Sequence, residues 1–189
     1  MAVDVQAKQE QLAGLLNGSV IDSEGRVAVC VRGAVDGFRA TLEALAPSWP
    51  FGVSYFVEAF EGVDPSSRPT RPAAKMTICP RIGRGMSGLL TNVLLFEARS
   101  MRINDKKLES TFNFTYDERE MTEKFLHWPG VQEALNSLDQ IAKFTEAVVR
   151  TDAGIFLAQP KSFNALDLDQ CMQVFGLLGQ LAGILAENF

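Results

Sequence analysis

Phe38-Arg-Ala-Thr-Leu-Glu-Ala-Leu45 alternates apolar and polar side chains along most of its length. Phe38, Ala40, Leu42 and Ala44 fall on one side, and Arg39, Thr41 and Glu43 on the other. A period of two marks a strand with one face in a core and one toward water. The flanks agree. Asp36-Gly37 ahead of it tolerates the positive φ of a tight turn, and Pro47 to Pro50 behind it interrupts any ladder. Outward from this stretch, Arg26 to Arg32 and Phe51 to Phe60 read as two further strands, with Ser23-Glu24-Gly25 as a turn before the first. The three together predict an antiparallel meander.

Before the meander, Val5, Leu12, Leu15 and Leu16 fall roughly on one helical face, and Asn17-Gly18 supplies a stop, so a helix is expected over Val5 to Leu16. After it, Val63 to Pro72 contains three prolines and reads as a surface loop. Lys75 to Ile82 is the next expected strand. Residues 89–99 stay open between two readings: Leu90, Val93, Leu94 and Glu97 fit a helix, while Val93-Leu94-Leu95-Phe96 alone fits a buried strand.

The C-terminal half is clearer. Phe112, Phe114 and Tyr116 alternate with Asn113 and Thr115 as a strand, and Asp117 with Glu120 three residues later resembles a capping box at a helix start. Trp128-Pro129-Gly130 ends that helix. Val131, Ala134, Leu135, Leu138 and Ile141 then form the stripe of a second helix. Phe144 to Arg150 and Ile155 to Gln159, around Asp152-Ala153-Gly154, predict a hairpin. A long final helix is expected from about Leu166 to Ala186, with Asp167 and Asp169 at its positive end. Gly176, Gly179, Gly183 and Ala186 make a line without large side chains along it, suited to close packing against this chain's own sheet or across a homodimer interface. The expected fold class is therefore α+β in a single domain: an N-terminal helix and antiparallel sheet, then a helix-rich half with a hairpin and the glycine-striped helix.

Residues Phe112 to Leu185, with their aromatic strand, acidic helix start and late hairpin, resemble uncharacterised bacterial α+β domains at the level of pattern. The resemblance implies no activity.

At 189 residues and 47% apolar content the chain can bury a real core, and a net charge of −5 disfavours non-specific binding to DNA by the whole surface. Its first residues lack a basic start and an apolar run, and Cys30, Cys79 and Cys171 are odd in number without close spacing. Reduced thiols, a cytoplasmic location and no transmembrane segment are expected. One histidine and three scattered cysteines offer no metal set, and no cofactor is expected.

The charge is unevenly distributed. Between Arg68 and Lys107 lie nine of the 18 Lys and Arg residues but only Glu97 and Asp105 among the acids, so this stretch is +7 and the remainder −12. Arg81, Arg84, Arg99, Arg102, Lys106 and Lys107 are its candidate anion-binding residues. Three readings compete: an acidic protein partner, phosphate groups, or solvation and pairing with this chain's own acids. Sequence-specific nucleic-acid binding is not expected, because Phe96 is the stretch's only aromatic.

Within the stretch, Gly83-Arg84-Gly85-Met86-Ser87-Gly88 matches a dinucleotide-type phosphate loop through Gly83, Gly85 and Gly88, with Ser87 a further hydrogen-bonding group, and Asp105 lies downstream at the distance of a ribose partner. The context differs from a βαβ unit, since the hexapeptide follows a meander and Pro80 interrupts the preceding strand. An ordinary loop is the simpler reading. His127 is expected to bond the last carbonyls of its helix, with a Cys79–His127 nucleophilic pair as the alternative. Asp117, Glu118 and Glu120 are expected to complement a helix dipole, and no catalytic residue is assigned.

The leading expectation is a non-enzymatic interaction or scaffold protein that binds an acidic partner through the basic stretch. A nucleotide-dependent enzyme or phosphate-ligand domain using Gly83 to Gly88 is the alternative, and a carrier of an apolar small molecule between sheet and final helix is a third.

Overall fold

The computed structural model describes residues 5–22, 27–45, 52–59, 74–81 and 101–189. In chain order the elements are α1 (Val5–Leu15), β1 (Ser19–Val20), β2 (Val27–Val35), β3 (Phe38–Leu45), β4 (Val53–Glu58), β5 (Lys75–Pro80), α2 (Lys106–Thr111), β6 (Phe112–Tyr116), α3 (Arg119–Leu126), α4 (Val131–Ala142), β7 (Glu146–Arg150), β8 (Gly154–Gln159) and α5 (Leu168–Asn188). The fold is α+β. Arg68, Arg71, Arg84, Arg99, the Gly83 to Gly88 hexapeptide and the question of helix or strand at 89–99 lie outside the described residues, as do the turns at 23–25 and 47–50 and the loop at 63–72.

Among the described residues one eight-stranded sheet runs β1-β2-β3-β4-β8-β7-β5-β6, antiparallel at every step. The expected meander forms its first half. The late hairpin β7–β8 is inserted in the middle, with β8 against β4 and β7 against β5. Cross-strand register lines up Val31, Leu42, Tyr55, Leu157, Ala147, Ile78 and Phe114, one residue from each of seven strands, and all are buried. This row is the floor of the core, because alternation puts every second side chain of each strand on the same face. Pro80 sits beyond the last residue that pairs with β7, where its missing N–H interrupts no bond on that side.

Helix α5 lies across β2, β3, β4 and β8 and also packs on α4. Asp167 caps it, its side chain accepting from Gln170 N–H, and Val174, Phe175, Leu178, Leu181, Ala182 and Leu185 are buried beneath it. At its centre Tyr55 donates to Gln159 Oε1 at 2.9 Å, stands 3.5 Å from Cys171 Sγ and meets Phe175 edge to face. The buried hydroxyl is thereby satisfied, and it ties β4, β8 and α5 together.

Gly179 and Gly183 face the β2–β3 hairpin of this same chain. A Cβ on Gly179 would stand 2.9 Å from Asp36 Oδ2, and one on Gly183 would stand 3.7 Å from the Phe38 ring. A Cβ on Gly176 would meet open space, and Ala186 is exposed.

Helix α1 ends where expected, with Asn17 at φ 49° and Gly18 N–H bonded to Ala13 O. Its buried face is Leu12, Ala13 and Leu16; Val5 and Leu15, expected on the same face, are exposed. Gly33 lets the Leu16 backbone lie directly on β2, with Ala34 N–H bonded to Leu16 O. The Lys8 ammonium donates to the carbonyls of Phe163, Asn164 and Leu166, clamping α1 to the connection between β8 and α5.

Candidate functional site

The described part of the basic stretch gathers around β6, which ends the sheet among the described strands. Arg81 N–H bonds Thr111 O, Met101 N–H bonds Phe114 O, and the Tyr116 hydroxyl donates to Arg102 O at 2.9 Å. Buried Ile103 and Leu108 anchor the intervening segment. These contacts fix the backbone and leave the basic side chains of Lys75, Arg81, Arg102, Lys106 and Lys107 exposed. None of the five forms a salt bridge with a described residue.

The neighbouring acids are committed elsewhere. Asp105 caps α2: its Oδ1 accepts from Lys107 N–H at 2.9 Å and Leu108 N–H at 3.1 Å, and its Oδ2 accepts from Gln132 Nε2 at 3.1 Å. Glu109 Oε1 accepts from Ile103 N–H at 2.8 Å and Asn104 N–H at 3.1 Å. Asp117 accepts from Lys75 N–H at 2.7 Å. Carboxylates that stabilise backbone donors in this way satisfy helix and strand ends, and they make no direct ion pair with the nearby cations. Two expectations are corrected here. Asp105, placed as a ribose partner, is occupied as a helix cap; and the cap of α3 is Glu118, which accepts from Met121 N–H, one residue beyond the expected Asp117.

Between α2 and the α3–α4 corner is a groove of about 250 Å³ whose lining includes Lys107, His127, Trp128, Gln132, Glu133 and Asn136. His127 ends α3 as expected, with Nδ1 2.7 Å from Glu123 O, and its Nε2 stands 3.7 Å from Asp105 Oδ2. A carbonyl only accepts, so Nδ1 carries the hydrogen. Gln132 uses its amide nitrogen on Asp105, and Asn136 uses its own on Gln132 O. Their amide oxygens are left as acceptors. Trp128 stacks edge to face on Phe189, giving one wall an aromatic surface.

The thiols are unsuited to nucleophilic work. Burial pushes the Cys79 thiol up to about 12, with Glu146 adding to the effect, and burial likewise raises Cys30 and Cys171. His127 engages Glu123 and Asp105, not Cys79. Among the described residues no three His, Cys, Asp or Glu side chains are placed to hold a metal, and no helix is long and apolar enough to cross a membrane. The apolar hollow lined by Met76, Met121, Phe125, Val149, Leu185 and Phe189 holds about 20 Å³, too little for a carried ligand.

Lys107 was legible from charge alone, whereas Trp128, Gln132 and Asn136 were missed as site residues. Their groove depends on how α2 meets the α3–α4 corner. No protein-family model, curated protein or solved structure matches this chain.

Proposed function

We propose that this chain is a non-enzymatic interaction protein that binds an acidic protein segment through the bases surrounding β6 and α2. One observation carries the reading: Arg81, Arg102, Lys106 and Lys107 are exposed without ion pairs to any described residue, while Asp105 and Glu109 beside them are turned into backbone caps. Solvent-exposed cations within roughly 10 Å of one another add their fields at moderate salt and attract a polyanionic segment before contact. The fixed backbone beneath them makes the patch a preorganised one.

The test is fluorescence anisotropy with labelled hexaglutamate at 50 and 200 mM salt. Binding is expected to weaken with salt, and the Arg81→Glu, Arg102→Glu, Lys106→Glu variant is expected to lose about tenfold or more in affinity, because each reversal replaces an attraction of up to about 1 kcal/mol with a repulsion. Equal affinity in the variant would sink the proposal.

A further inference from the structure

The sheet has a second face, and we propose that it joins a second copy of this chain in a two-fold dimer. Alternation puts Thr41, Phe56, Phe156, Val148 and Thr77 in one row across β3, β4, β8, β7 and β5, one residue from the row that floors the core and on the opposite side of the sheet. The buried apolar side chains of all five helices belong to the core on the other face. Among the described residues, no helix covers this row. At its centre Phe56, Phe156 and Val148 are cross-strand neighbours, half-buried, and take no part in the core. Adjoining apolar side chains in the middle of such a face are what an opposing sheet buries.

The charges beside the row select the occupant. On β3, Glu43 lies two residues from Thr41 in one direction and Arg39 two residues in the other; on β7, Glu146 and Arg150 flank Val148 in the same manner. Both glutamates fall on one side of the row, because Glu43, Ser54, Ala158 and Glu146 are successive cross-strand neighbours. Both arginines fall on the other, through Arg39, Glu58, Gly154 and Arg150. A two-fold axis along the row lays a second sheet on the first and exchanges the two sides. Glu43 then opposes Arg39 of the second copy, Glu146 opposes its Arg150, and the three apolar side chains meet their own counterparts. An axis along the strands exchanges β3 with β7 instead, setting Glu43 against Glu146 and Arg39 against Arg150. Like charges exclude that arrangement, and only the first is self-complementary, as an isologous contact requires. It also keeps the strands of the two sheets within the roughly 30° of aligned packing. Arg39 and Arg150 already pair with Glu58 and Asp152 of their own chain, at 3.6 Å and 2.7 Å, so the charges orient the dimer and the apolar row holds it.

The test is sedimentation equilibrium of the full chain from about 1 to 100 µM, with circular dichroism to check the folding of every variant. The unaltered chain is expected to form particles of two chains. Phe156→Lys is expected to weaken association about tenfold or more, since it places a charge at the centre of the contact. Two charge variants test the orientation and leave the apolar row intact. Glu43→Lys with Glu146→Lys makes both sides of the face basic, and Arg39→Glu with Arg150→Glu makes both acidic. Each is expected to self-associate more weakly than the unaltered chain, and the two mixed in equal amounts are expected to pair. A monomer throughout the concentration range overturns the proposal, as does a dimer that survives Phe156→Lys in a folded chain. Charge variants that each dimerise like the unaltered chain, or that do not pair when mixed, overturn it as well, and they decide the matter should Phe156→Lys not fold.

Discussion

Asp105 shows how one side chain sets the character of its surroundings. It accepts from two backbone N–H groups and one amide, and the Leu108 N–H above all, then Lys107 N–H, Gln132 and the nearby His127, hold its carboxyl below the usual carboxylate range against a smaller opposing effect of burial. A pKa lower in the folded than in the unfolded chain adds stability that is fully present above about pH 4 and is lost as pH falls through the folded value. Asp105→Ala is thus expected to cost about 1 kcal/mol at pH 7, the usual worth of such a cap, and the deficit should shrink as pH drops below about 4. Urea unfolding at pH 7, 4 and 3 measures it. A deficit unchanged at pH 3 would mean that the carboxylate charge contributes nothing.

At the scale of elements, the glycines of α5 separate into three situations. Gly176 faces open space, Gly183 has room for an ordinary contact with Phe38, and Gly179 is pressed against Asp36. Each Gly→Ala change inside a helix gains about 1 kcal/mol where space allows. Gly176→Ala and Gly183→Ala are each expected to raise Tm by about 2–4 °C, while Gly179→Ala gains nothing or lowers it. Differential scanning calorimetry distinguishes them. A fall for Gly176→Ala, with loss of a dimer in sedimentation velocity, would instead place that face against a second copy.

The same helix shows where sequence reading succeeds. Its cap, and the bounds of β3, were legible because a period of 3.6 or 2 and a capping carboxylate are local properties, while the helix itself, Leu168–Asn188, starts and ends slightly later than the expected Leu166 to Ala186. The cap of α3 slipped by one residue, since neighbouring acids compete for one position, and Val5 and Leu15 turn outward because packing decides which apolar side chains are covered. Helix α2 was missed altogether. Its six residues, Lys106–Thr111, are too few to show a stripe, and Asp105 was the signal that could have found it.

At the scale of the whole molecule, strand order was not legible, because pairing is chosen by partners far apart in the chain. Nothing in Phe144 to Gln159 announces that the hairpin will part β4 from β5. The candidate site shares this property: its charges are visible in the sequence, but Lys107 and His127 line one groove only through the way α2 lies beside the α3–α4 corner. The insertion also bears on how the protein is made. Tyr55 and Gln159 are 104 residues apart, which at about 5–20 residues per second amounts to roughly 5–20 s of synthesis. During that interval the meander on the ribosome has one edge without its native neighbour, and the Lys8 clamp has no carbonyls to hold. Arrest-peptide force measurements on nascent chains should show the main folding pull only after Gln159 has cleared the exit tunnel; a full pull from chains ending near residue 120 would contradict this. A sheet edge waiting for a late partner leaves the nascent chain open to pairing with the wrong strand until that partner is made.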